Sequence, residues 1–119
     1  MIQCKRVYDA PAREDGYRIL VDRLWPRGIK KADLVYDEWC KALTPSGELR
    51  KAYHGDTLDF AAFSQAYRQE LAQHKAEGER IAARAQTQTV TLLYAAKQTE
   101  QNHAQVLAAW LRQLAVSRS

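Results

Sequence analysis

Cysteine is nearly absent: Cys4 and Cys40 are the only two in 119 residues. So few thiols exclude a disulfide framework, and two isolated cysteines make no zinc pattern. Both are expected as reduced, buried, small hydrophobes. His54, His74 and His103 are scattered, with neither HExxH spacing nor paired cysteines beside them, so no metal site is expected. Long apolar runs are missing too. No stretch approaches membrane-spanning length, and Lys5 and Arg6 interrupt the apolar N-terminal segment, so no targeting segment and no membrane partner are expected. The expected setting is the cytoplasm. GxSxG, Walker and GxGxxG patterns do not occur, which removes the common signatures of serine hydrolases, P-loop proteins and dinucleotide enzymes. Internal repeats, linkers and low-complexity tracts are also lacking.

What is present belongs to an ordinary globular chain, with 46% apolar and 27% charged residues. A chain of this length is expected to form one domain, spanning residues 1–119, that buries roughly two-thirds of its unfolded surface. The net charge of +4 favours anionic partners without requiring a polyanion. Its distribution is uneven. From Lys5 to Lys31 there are eight basic residues against Asp9, Glu14, Asp15 and Asp22, so this segment holds the whole of a surplus equal to the net charge.

The pattern predicts an α/β fold: a single small Rossmann-like domain with a mostly parallel sheet of about four strands flanked by helices. Residues 2–7 and 17–21 read as strands, the second with an Ile-Leu-Val centre that suits cover on both faces. Residues 34–39 are a short strand or an irregular segment with Trp39 inward. Thr44 as cap and Pro45 in the first turn predict a helix ending at Gly55. Asp59 opens the next, whose Phe60, Phe63, Tyr67 and Leu71 form a core stripe on the sheet. A further helical piece covers 77–86, where Gly78 marks a break or a weak first turn. Residues 89–96 are an apolar strand. A final amphipathic helix is expected over 99–115, with Thr99 as cap, Val106, Leu107, Trp110, Leu111 and Leu114 on one face, and 117–119 as a frayed tail.

In open α/β sheets, ligands bind outside the carboxyl ends of the strands, which here places a site among residues 8–16, 22–33 and 96–102. "VDRLWPRGIKK" (21–31) fills one of these loops. Arg23 and Arg27 supply fork-shaped donors that match phosphate or carboxylate; the alternative for Arg23 is an ion pair with Asp22. Trp25 and Pro26 stiffen the loop, and Trp25 is either a stacking face or a core plug. Gly28 lets the backbone turn or approach closely. Lys97 follows the last strand, where it either reaches solvent or meets a negative group. The helix start behind it, with amides 100–102 and the side chains of Asn102 and His103, would complete an anion cradle. His103 is the candidate catalytic acid or base, or else caps its own helix. Arg50, Lys51 and His54 form a second basic group that closes over the site or is a solvated face.

The blocks "GYRILVDRLWPRG", "TPSGELRKAYH" and "TLLYAAKQTEQNHAQVLAAWL" resemble, over nearly the full length, the YeaO-like branch of the domain-of-unknown-function 488 family. The resemblance implies an α/β Rossmann-like domain and gives no reaction. Longer relatives in that wider family carry a Glu after the last strand and then a Cys-His-Arg triplet; here the block reads Lys97 and Asn102, His103, Ala104. With the thiol missing, cysteine chemistry is not carried over. A uroporphyrin-III methyltransferase label used for some similar short proteins does not suit a chain without a glycine-rich cofactor loop.

The functional expectation is a small anionic ligand, a nucleotide or phosphorylated metabolite, held by Arg23, Trp25, Arg27, Lys97 and Asn102, with His103 as proton carrier if a reaction occurs and no cofactor. A nucleic-acid-binding module ranks second, because acidic residues interleave the bases. A noncatalytic regulatory subunit with a partner interface is the third. Oligomeric state stays open.

Overall fold

The computed structural model describes residues 1–55 and 57–118. It is an α/β protein with one four-stranded sheet: β1 (Ile2–Arg6), β2 (Tyr17–Leu20), β3 (Glu38–Trp39) and β4 (Val90–Tyr94) in the order β1-β4-β2-β3. Every pairing is parallel, with Leu92 of β4 between Cys4 and Ile19. β4 is buried along its whole length because it has a partner on each side and cover on each face. That is why its sequence is apolar and β-branched, with Thr91 as the one polar residue, its hydroxyl donating to the Asp15 carbonyl.

The helices are α1 (Gly47–His54), α2 (Phe60–Leu71), α3 (Lys75–Ala85) and α4 (His103–Arg118). All four send side chains into one core with Ile2, Ile19, Val21, Val90, Leu92 and Tyr94, the residues of one sheet face. On the other face, Val7, Leu20, Leu34 and Leu93 form a smaller core, covered by Trp25, Ile29 and Trp39 of the 22–39 segment. Further along that face the sheet is polar: Asp15 is buried against Arg18, Lys5 and the backbone N–H of Ala12. The stripe expected on α2 is core, with Phe63, Tyr67 and Leu71 buried. The Tyr67 hydroxyl donates to the Leu43 carbonyl.

Several boundaries differ from the sequence expectation. α1 is capped by Ser46, whose Oγ accepts from Leu49 N, while its own N–H and O–H donate to the Glu70 carboxylate. Thr44 instead donates to the Lys41 carbonyl, and Pro45 stands before the cap. Glu70, from another element, decides which of the two polar candidates, Thr44 and Ser46, starts the helix.

Gly78 is neither a break nor a weak turn. It lies inside α3, buried, where a Cβ would overlap the ring of Trp110 and sit 2.7 Å from Cδ1 of Leu114. The missing side chain lets α3 and α4 pack closely. α4 starts at His103, not Thr99, so Glu100 and amides 100–102 belong to the preceding loop. At its other end α4 runs through Arg118, beyond the expected stop at 115; Ser119 of the expected tail lies outside the described residues.

Among the described residues no helix is long and apolar enough to cross a membrane. Cys40 is buried and Cys4 half-buried, both as free thiols. Burial pushes the Cys4 thiol up to about 11, against a smaller opposing pull from Arg112. Cys40 is raised as well, chiefly by burial.

Candidate functional site

Beyond the carboxyl ends of β1, β2 and β4 lies a cleft of about 810 Å³. One side is formed by the loop after β2 and the loop after β4; the other by α1 and the start of α2. Arg23, Trp25, Arg27, Lys97, Asn102 and His103 all line it. Of the second basic group, Arg50 and His54 reach the lining as well. A second cavity of about 440 Å³ shares Arg23 with the first.

The loop after β2 is held in place by its own residues. Trp25 Nε1 donates to the Ile29 carbonyl at 2.6 Å, and its ring meets Trp39 and Tyr36 edge-on. The indole is therefore packed into the smaller core while part of it still reaches the cleft. Gly28 takes φ +79°, a turn conformation disfavoured for other residues, with no neighbour close to where a Cβ would stand. It serves to turn the chain, not to admit a close approach. The Tyr8 hydroxyl donates to the Arg27 carbonyl at 3.0 Å, tying this loop to the end of β1.

Arg23 and Arg27 are exposed, and neither guanidinium forms an ion pair among the described residues. The alternative for Arg23, pairing with Asp22, is not what the structure shows. Asp22 turns instead to His103 and to the end of β4: Oδ1 lies 2.9 Å from His103 Nε2, and Oδ2 accepts from Ala95 N at 2.9 Å. Nε2 is also 3.0 Å from the Val21 carbonyl. Both neighbours are acceptors, so Nε2 carries the proton. His103 is thus fixed by β2 and does not cap its own helix.

The cap is Asn102. Its Oδ1 accepts from Gln105 N at 3.0 Å and its Nδ2 donates to the Gln98 carbonyl at 2.7 Å. The side chain is buried, and its hydrogen-bonding groups shape the loop that carries Lys97. Lys97 itself is exposed at the rim and forms no ion pair among the described residues.

Sequence reasoning missed two contributors. Asp22 was read only beside Arg23, although a carboxylate directly after a buried strand has the same claim to a site as Lys97 after β4. Tyr53, Phe60 and Phe63 build the opposite wall of the cleft, with Tyr53 stacked on Phe63 at 4.5 Å between ring centres. Helical spacing placed Phe60 and Phe63 in the core, and it could not show that the stripe runs out into a cavity.

Away from the cleft, Glu38, Cys40 and Glu77 bring ligand-type atoms within 4.8 Å of one another. Arg80 already bridges both carboxylates, at 2.5 Å to Glu38 and 2.9 Å to Glu77. Its hydrogen bonds hold the Glu38 carboxyl below its usual range, outweighing burial. A cation there would have to displace the guanidinium.

A family profile described as "Inactive DUF488-N3 subclade" matches residues 1–119. Over 113 residues the chain is 66% identical to the Escherichia coli K12 protein named "Uncharacterized protein YeaO", covering 95% of this chain and 98% of that one. It is 38% identical over 109 residues to "Uncharacterized protein Rv3073c" of Mycobacterium tuberculosis H37Rv and to "Uncharacterized protein Mb3100c" of Mycobacterium bovis, covering 90% of each chain. No solved structure matches.

Proposed function

We propose that this chain, which belongs to the DUF488-N3i family, binds a small anionic ligand in the cleft at the carboxyl ends of the strands and carries out no reaction on it. The observation that carries this reading is an imbalance of charge in one concave space. Arg23, Arg27, Arg50 and Lys97 line the cleft without ion-pair partners among the described residues. Among the described residues its two carboxylates are both engaged, Asp22 as described and Asp59 as the cap of α2 through Ala62 N. Unpaired guanidinium groups around a cavity favour phosphate or carboxylate.

Two observations support binding without catalysis. The family description carries the word inactive, and Asn102, the residue beside His103, is committed to capping α4. His103 then acts as a strut between α4 and the end of β2 while lining the cleft. Trp25 anchors its loop, and Arg23, Arg27 and Lys97 contact the anion.

Crystals soaked in phosphate or sulfate test the reading. The wild-type cleft is expected to hold the anion, and Lys97→Ala to lose it; equal occupancy in both would defeat the assignment of Lys97. A gel-shift series at two salt concentrations checks against nucleic acid, for which a cleft of this kind predicts almost no retardation at moderate salt.

A further inference from the structure

The cleft lining joins its cations, Arg50 of α1 among them, to a set of aromatic rings. These rings form a wall: Tyr53 lies flat on Phe63, and Phe60 is 6.2 Å from each of them. Phe63 is buried, whereas Tyr53 and Phe60 keep part of their surface open, and all three line the cavity. The Tyr53 hydroxyl has no hydrogen-bond partner among the described residues, although it sits at the edge of this wall.

Size points the same way. A bare phosphate takes the room of roughly three waters, on the order of 100 Å³, and would leave most of a cavity of about 810 Å³ empty. Cavities of about 300–1,000 Å³ ordinarily enclose whole small organic molecules. An anion alone would also leave the aromatic wall wet.

Building on the anion-binding reading, we infer that the ligand is a phosphate monoester joined to a planar ring, of the nucleoside 5′-monophosphate class. The phosphate meets Arg23, Arg27 and Lys97, and the ring lies against Tyr53 and Phe60. Three cations suit a dianion better than a single carboxylate. An aromatic face accepts any planar heterocycle with little regard to its substituents, so the wall sets the class of ligand and not the particular base.

Calorimetric titration with AMP, CMP, ribose 5-phosphate and inorganic phosphate tests this. AMP is expected to bind about tenfold or more tightly than ribose 5-phosphate, the gain a stacked base supplies. Tyr53→Leu and Phe60→Leu should each shrink that gain and leave ribose 5-phosphate binding unchanged, whereas Arg23→Ala and Lys97→Ala should weaken every phosphate alike. Saturation-transfer NMR on the wild-type protein needs no variant: transfer should be strongest to the base protons, and transfer confined to the ribose would overturn the inference. Equal affinity for AMP and ribose 5-phosphate would also overturn it, leaving the anion site standing. If none of the four probes binds, the anion site itself fails.

Discussion

The Asp22 carboxylate receives His103 Nε2 at 2.9 Å on one oxygen and the Ala95 N–H at 2.9 Å on the other. One side chain thereby joins the ends of β2 and β4 to the first residue of α4, and it does so at the floor of the cleft. The polar groups around the cleft that look catalytic in sequence are, in part, the mortar of its construction.

Asp22→Ala is therefore expected to destabilise the fold by about 1–3 kcal/mol, because it leaves the half-buried Ala95 N–H without its acceptor and the imidazole with the Val21 carbonyl alone. Asp22→Asn keeps an oxygen for one of the two donors and should cost about 1 kcal/mol. Urea unfolding of both variants checks the order. Equal, negligible losses would show that water replaces the carboxylate at no cost.

The close approach of α3 to α4 makes a second expectation. Adding a methyl group inside an exposed helix at glycine usually stabilises by about 1 kcal/mol. At Gly78 the new Cβ would overlap Trp110 and crowd Leu114, so Gly78→Ala should instead cost about 1–3 kcal/mol. In a Trp110→Leu background the loss should fall, giving a coupling energy between the two positions in a double-mutant cycle. Additive effects would contradict the packing described.

The sheet was legible because burial writes itself into sequence: a β-branched and apolar segment at 89–96 has few alternatives to a central strand, and Phe63, Tyr67 and Leu71 recur at helical spacing. Residues 22–33 were legible as a carboxyl-end loop for the same reason, since the apolar run before them stops at Val21. Helix starts were harder. Thr44, Ser46, Thr99 and Asn102 are all competent caps, and the choice among them rests on Glu70 for α1 and on the Gln98 and His103 contacts for α4. Such partners lie far apart in sequence or depend on a loop's exact path, which no local pattern records. The aromatic wall escaped notice because the same spacing serves a core and a cavity edge.

Thiol reactivity follows from burial. With the Cys4 thiol pushed up to about 11 and Cys40 raised too, the thiolate of Cys4 is roughly 1 in 1,000 molecules or fewer near neutral pH. The Cys4 thiol also donates to the Ala104 carbonyl at 3.4 Å. Iodoacetamide at about pH 7.5 should leave both cysteines unmodified in the folded protein and alkylate both in denaturant, as read by intact mass. Fast alkylation of native Cys4 would mean that the thiol is open to solvent.

Acid stability depends on the polar patch behind the sheet. Burial would raise the Asp15 carboxyl, but the Ala12 N–H, Lys5 and Arg18 together outweigh it and hold the group below its usual value. A carboxyl depressed in the folded state stabilises fully above its unfolded value of about 3.8, and that stability is lost as pH falls through the folded value. Unfolding free energy should thus fall as the pH drops below about 4. Asp15→Asn cannot titrate, so its stability should be lower at neutral pH, where Lys5 and Arg18 lose their counter-charge, and should decline less steeply on the acid side. Urea midpoints measured from neutral pH down to about pH 2 compare the two slopes; parallel curves would mean that Asp15 has no part in acid unfolding.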